Sequence, residues 1–210
     1  MEDMMQVLMI NGSPHEKGCT YTALNEVSKS LSLQGIESEI LWIGEEAIHG
    51  CVGCGYCTSH KACKFSDDKV NEAASKALVF DALILSSPVH YASACGSACA
   101  FYDRLFRIVS KDLALKPGAS VVSCRRGGAS AAFDRLNKYF TISQMPVVSS
   151  TYWNSVHGNT PEEVAQDLEG LQVMRNLGEN LGWLLRCIEL ASREIERPIT
   201  ERGYKTNFIR

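Results

Sequence analysis

Short apolar runs alternate with amphipathic stretches along almost the whole chain. That rhythm predicts a parallel sheet covered by helices on both faces. Strands are expected over residues 6–11, 37–43, 82–87, 120–123 and 147–151. Helices are expected over 20–33, 67–78, 96–109, 130–139 and 161–195. The last one opens with Thr160-Pro161-Glu162-Glu163, a capping box with proline at the first helical position, where a missing N–H costs nothing. Inside it Val164, Leu168, Leu171, Met174, Leu177, Leu181, Leu184 and Ile188 recur at helical spacing, which makes a core or dimer face. Gly170, Gly178 and Gly182 interrupt that stripe and point to a break or a close helix–helix approach.

Five strands alternating with five helices suit an α/β, flavodoxin-like, doubly wound five-stranded sheet of order 2-1-3-4-5; the alternation alone does not separate this order from the Rossmann order, and the loops decide it. Ligands of such sheets bind beyond the carboxyl ends of the strands, at the switch point between strands 1 and 3. The informative loops therefore follow Asn11, Ser87, Ser123 and Thr151. One domain over 1–197, with a cysteine-rich loop at 48–66, and a polar tail over 198–210 are expected.

Composition narrows the partners. The 210 residues are 45% hydrophobic and 21% charged with a net charge of −3, and no basic run exists to attract nucleic acid. Met1-Glu2-Asp3 is acidic and the apolar segments are strand-sized, so neither a signal peptide nor a membrane anchor is expected. Nine cysteines without a secretion signal imply a reducing, cytoplasmic setting, with thiols as ligands or redox groups rather than disulfides.

The segment from Gly12 to Thr22 follows an apolar strand and precedes a helix. Its glycine turn, the hydroxyls of Ser13, Thr20 and Thr22, and the N–H groups opening the helix suit a phosphate. It is neither G-x4-G-K-[ST] nor G-x-G-x-x-G, so ATP and Rossmann-type dinucleotides lose ground to a flavin monophosphate. An ordinary βα turn capped by Ser or Thr is the plainer reading. Ile10-Asn11-Gly12-Ser13-Pro14 with Gly18-Cys19-Thr20 resembles the FMN-phosphate signature of the NADPH-dependent FMN reductase family. That family usually carries Arg or Lys where His15 stands and Asn where Cys19 stands.

The resemblance implies further flavin contacts. Pro88-Val89-His90-Tyr91-Ala92-Ser93 resembles the family segment that borders the isoalloxazine ring, with His90 in the place of the usual Tyr and Cys99 where Lys is common. Cys124-Arg125-Arg126-Gly127-Gly128 resembles the family loop over the pyrimidine edge. A cation near N1 and O2 there stabilises reduced flavin. The two arginines read equally well as solvated, or as a grip on the 2′-phosphate of NADPH. Tyr152-Trp153-Asn154 with His157-Gly158 resembles a stretch in a cysteine-bearing subset of the family, where paired aromatics wall a flavin or substrate pocket. Simple strand-end packing is the equal alternative. Asp103-Arg104 reads best as a helix-surface or structural ion pair.

Cys51, Cys54, Cys57 and Cys63 form a C-x2-C-x2-C-x5-C block. Thiolates at that density hold an iron–sulfur cluster, bind zinc or form a redox dithiol, and the residues alone leave the three open. The block resembles the compact motif of iron–sulfur flavoproteins, which carry a [4Fe-4S] cluster beside the flavin, while related flavin reductases with a similar loop carry none. Cys19, Cys95, Cys99, Cys124 and Cys187 read most simply as small hydrophobes. The expected function is an FMN-dependent NAD(P)H oxidoreductase passing electrons to a quinone, an azo or nitro compound, or free flavin, in which the flavin rather than a side chain carries the chemistry. The alternative is an iron–sulfur electron carrier fed by ferredoxin. The family resemblance and the apolar last helix together imply a homodimer or a higher homo-oligomer.

Overall fold

The computed structural model describes residues 4–204, Thr206 and Phe208. Met1, Glu2, Asp3, Lys205, Asn207, Ile209 and Arg210, and with them the acidic opening and part of the expected tail, lie outside the described residues. Elements run β1 (Gln6–Asn11), α1 (Cys19–Ser32), β2 (Glu37–Trp42), α2 (Tyr56–His60), α3 (Val70–Val79), β3 (Ala82–His90), β4 (Ser93–Ala94), α4 (Gly96–Val109), β5 (Gly118–Cys124), α5 (Ala129–Ile142), β6 (Ser155–His157), α6 (Pro161–Val164) and α7 (Leu168–Ala191). Five parallel strands lie in the order β2-β1-β3-β5-β6, with β4 folded back antiparallel on β3. That is the 2-1-3-4-5 pattern of a flavodoxin-like sheet.

Alternation along the strands explains why helices cover both faces. Leu8 and Ile10 of β1, with Leu83 and Leu85 of β3, pack into a core built with α3, α4 and α5. Their neighbours Val7, Met9, Ala82 and Ile84 point the other way, into a core built with α1 and α7. Side chains on one strand alternate between faces, so a strand buried on both reads as a continuous apolar run. Two glycines let α7 approach α1 closely. A methyl on Gly178 would sit 2.6 Å from Ser30 Cβ, and one on Gly182 would strike the Gln34 side chain.

Three expectations are corrected. The fifth strand is residues 155–157, not 147–151. Val147 does bridge to Gly118, but the chain then leaves the sheet because α7 captures it. Asn180 donates to the Ser149 carbonyl at 2.8 Å, Ser150 Oγ to the Val173 carbonyl at 2.7 Å, and Asn176 to Thr151 Oγ1 at 3.2 Å. Asn154 then returns to β5, its side-chain amide donating to the Ser120 carbonyl at 3.0 Å. The detour leaves Tyr152 and Trp153 exposed, their rings 5.0 Å apart. The last helix is also split. Asp167 accepts from Gly170 N at 2.9 Å and starts α7 afresh, while Glu163 accepts from Asn159 N at 2.6 Å rather than from the capping Thr160. Helix α3 starts at Val70, three residues later than expected, with Asp68 accepting from Val70 N at 3.1 Å.

Candidate functional site

Because β1, β3, β5 and β6 are parallel, the segments after Asn11, His90, Cys124 and His157 meet at one edge of the sheet. The loop after β1 is held from below. Buried Asn11 donates through Nδ2 to the Glu16 carbonyl at 2.9 Å and accepts from Ser13 N at 3.2 Å. Trp42, at the end of β2, donates to the Ser13 carbonyl at 2.8 Å. Gly12 lies against Ser86 and Tyr102, with no room for a Cβ. Tyr102 is wholly buried, donates to the Ser86 carbonyl at 2.7 Å and accepts from Ser86 N at 3.2 Å. Burial pushes its phenol well above the ordinary range, so it stays neutral.

Within the loop, Ser13 is buried and its Oγ accepts from His15 N at 3.1 Å, while His15 is exposed. Gly18 caps α1 with backbone alone, so no side chain occupies the N–H groups of the first turn at Cys19 and Thr20. Those donors and the helix dipole suit an anion. Two of the expected hydroxyls have internal partners. Thr20 Oγ1 bonds Ser123 Oγ at 2.8 Å, tying α1 to the end of β5, and Thr22 Oγ1 donates to the Gly18 carbonyl at 3.2 Å. The residues present fit a flavin monophosphate through Ser13 and the backbone of residues 12–20.

Pro88, Val89 and His90 finish β3, Tyr91 and Ala92 form a two-residue turn, and Ser93 begins β4. Both turn residues have positive φ, 49° and 60°, a conformation that L side chains adopt only under strain. Gly128, at φ 92°, packs beneath them, and a Cβ there would lie 2.6 Å from Ala92 Cα. The hairpin of β3 and β4 and the loop of Cys124, Arg125, Gly127 and Gly128 are thus one packed unit. Tyr91 stands fully in solvent; Arg125, Arg126 and Gly127 are exposed; Cys124 is buried.

The cysteine block forms a second part of the site. Cys51, Cys54, Cys57 and Cys63 line one cleft, floored by Arg104, Arg107 and Ile108 of α4. Left-handed Gly53 and Gly55 turn the loop sharply before the short α2. Asn71 grips the Cys63 backbone from both sides, accepting from its N–H at 2.7 Å and donating to its carbonyl at 3.1 Å. Among the described residues no three Cys, His, Asp or Glu side chains are gathered closely enough to hold a metal ion. The donor set nonetheless fits a thiolate-ligated cluster: four cysteines on one cleft, with an Arg104 N–H 3.1 Å from Cys63 Sγ.

Other thiols are of a different kind. Burial pushes Cys19, Cys99 and Cys124 above the ordinary thiol range, keeping them protonated at neutral pH. Cys95 donates to the Gly12 carbonyl at 3.1 Å, a structural contact. Alkylation of metal-free protein at pH 7.5 is expected to reach exposed Cys51 and Cys54 roughly tenfold faster than buried Cys95 and Cys124. Peptide mapping by mass spectrometry checks the order.

Sequence reasoning gave Asn11 no role of its own within the signature and missed Trp42 and Tyr102; all three brace the loop after β1 and the strand end beside it. A signal existed for Trp42, a donor at the carboxyl end of a strand beside β1. The Asp103-Arg104 pair is not a pair. Asp103 accepts from Arg135 at 2.9 Å and from Tyr139, whereas Arg104 is buried against Asp68 and the cysteine loop.

The fold defines a flavodoxin-like protein. A flavodoxin-type, WrbA-like protein from Agrobacterium tumefaciens covers 88% of this chain and 99% of its own at TM-score 0.61 and 11% identity. An archaeal flavodoxin matches 87% and 99% at TM-score 0.59 and 11% identity. Residues 5–160 match the NADPH-dependent FMN reductase family, and the chain belongs to it: a flavin-binding oxidoreductase of that family. Its relatives include an iron–sulfur flavoprotein of Methanocaldococcus jannaschii, 28% identical over 88% of this chain and 100% of that protein. Another, from Methanosarcina thermophila, is 27% identical over 88% and 97%. Among the described residues no helix is long and apolar enough to cross a membrane.

Proposed function

We propose that this protein is an iron–sulfur flavoprotein, holding FMN at the sheet edge and a [4Fe-4S] cluster on Cys51, Cys54, Cys57 and Cys63, and passing electrons from a ferredoxin-type donor to a small-molecule acceptor. The observation that carries the reading is the meeting of those four cysteines on one cleft beside a hydrogen-bond donor to sulfur. Bound flavin exchanges electron pairs as hydride or single electrons, and a cluster exchanges electrons singly. Ser13 and the first turn of α1 hold the phosphate. The hairpin Pro88–Ser93 and the loop 124–128 border the ring, with Arg125 stabilising negative charge at its pyrimidine edge. Helix α4 links the two parts. Cys95 at its start touches the phosphate loop, and Arg104, about 14 Å further along the axis, touches the cysteine loop.

Cations favour an acidic protein donor. Lys64 and Arg107 line the cysteine cleft, and Lys61 and Lys111 line its neighbour, with Asp103 and Asp112 as the opposing charges. Reduction by an acidic ferredoxin is therefore expected to slow about tenfold between 50 and 500 mM salt, as screening removes steering. Stopped-flow flavin bleaching measures it, and a salt-independent rate would count against docking here.

A second reading, direct reduction by NAD(P)H, is favoured by one observation. Arg125 and Arg126 are exposed and make no ion pair among the described residues, which leaves them available for a 2′-phosphate. Comparing anaerobic flavin reduction by NADPH, by NADH and by reduced ferredoxin decides between them. Fast reduction by ferredoxin with slow reduction by nicotinamides supports the proposal; the reverse order refutes it.

A further inference from the structure

We propose that Arg104 is the positioning residue of the cysteine loop: one buried guanidinium closes the loop by holding both of its stems and sets the charge environment of Cys63. The inference rests on the iron–sulfur reading above. Arg104 lies on the apolar face of α4, among Phe101, Leu105 and Ile108, and is 2% exposed. Its donors diverge. Nη1 reaches the His49 carbonyl at 3.3 Å, ahead of Cys51, and also pairs with Asp68. Nη2 reaches the Phe65 carbonyl at 2.9 Å, beyond Cys63, and Nε points at Cys63 Sγ at 3.1 Å.

The two stems also meet directly, since the His49 and Phe65 rings stack with centroids 4.4 Å apart. Arg104 lies 5.3 Å from the Phe65 centroid. A single planar fork therefore spans the entrance and exit of a loop that contains all four cysteines. Lysine, a single ammonium on a flexible stem, cannot make those divergent contacts together.

An ion pair that merely docked α3 on α4 would need Asp68 and nothing else. The contacts to His49, Phe65 and Cys63 go beyond that requirement. They are the kind of outer-shell contact that orients a ligand and tunes a cluster. An N–H donated by a cation to a ligating sulfur favours the more negative, reduced state, so its loss shifts the cluster potential downward.

The test uses the full chain, FMN-loaded and reconstituted anaerobically with iron and sulfide, as wild type, R104K, R104M and D68N/R104M. The double variant removes both charges, so no buried carboxylate is left unpaired and folding is preserved if R104M alone unfolds. Iron counts, the rate of cluster loss to a chelator, and the cluster potential in a mediated titration are read together with flavin content and a thermal melt. The expectation is unchanged flavin, cluster loss about tenfold faster in all three variants, and a lower potential in both variants with Met at position 104. A tenfold change in the one-electron equilibrium, about 59 mV, is the expected scale.

A double variant with wild-type cluster retention and wild-type potential overturns the inference while leaving the functional reading intact. If wild type itself takes up no iron, the functional reading fails, and the loop-closing role is then decided on metal-free protein. Alkylation of Cys63 several-fold faster in D68N/R104M than in wild type supports the anchor, and equal rates overturn it.

Discussion

Gly12→Ala is expected to abolish FMN binding and to destabilise the fold by about 2–6 kcal/mol. An added methyl would lie against the Ser86 carbonyl, 2.7 Å from the Tyr102 hydroxyl and 2.9 Å from Ala98 Cβ. None of these groups is the flexible end of an exposed side chain. Overpacking a tight site costs about 1–3 kcal/mol. Pushing Tyr102 aside adds a cost of about 1–3 kcal/mol, because its buried hydroxyl exchanges two hydrogen bonds with Ser86. The same displacement moves the strand end from which Ser13 and the phosphate loop hang. Urea unfolding measures the stability, and equilibrium dialysis with FMN measures the binding. Gly203→Ala is the control, since nothing lies within 4 Å of a Cβ there and the residue belongs to none of the loops at the sheet edge. Wild-type stability and affinity in Gly12→Ala would mean that the loop is not built as described.

The second large effect is expected at Cys63. Cys63→Ala removes a thiolate, leaves the Arg104 Nε–H without its sulfur partner, and keeps the Asn71 bonds to the Cys63 backbone. Iron after anaerobic reconstitution is expected to fall from about four per chain to well below one, since a cubane needs all four thiolates. FMN content is expected to stay at wild-type level, because no phosphate-loop contact passes through residue 63. Cys187→Ala, on α7 and far along the chain from the cleft, is expected to leave both counts unchanged. Metal analysis and flavin absorbance on the same samples check this. Equal iron in Cys63→Ala and wild type would remove Cys63 from the ligand set.

Much of this architecture was legible because each strand and helix states its own period. Val7 to Ile10 is apolar throughout because both faces of β1 are buried, and no other element type explains that run so simply. The loops at the sheet edge were legible for the same reason, since topology places them there once the strands are right.

What failed depended on contacts between distant residues. Val147 and Val148 have strand propensity, but Asn176, Asn180 and the Val173 carbonyl, some thirty residues on, draw the segment off the sheet. The split of the last helix turned on Asp167, a strong N-cap residue that the continuous apolar stripe on either side of it masked. Arg104 was misassigned to its sequence neighbour because adjacent helical residues face different ways. Its partner Asp68 lies 36 residues earlier. The loop after β1 announced its turn and the start of a helix but not its internal commitments. Thr20 looked like a ligand hydroxyl and is tied to Ser123, a pairing no local pattern encodes.

On the proposed function, one chain carries a flavin at the sheet edge and an iron–sulfur cluster in the cysteine cleft. Anaerobic purification followed by counts of flavin, iron and acid-labile sulfide tests it most directly. About one FMN with about four irons and four sulfides per chain, and broad visible absorbance added to the flavin bands, is the predicted result. Stoichiometric flavin with neither iron nor sulfide, before and after reconstitution, would contradict it and leave a flavin reductase with four unligated thiols.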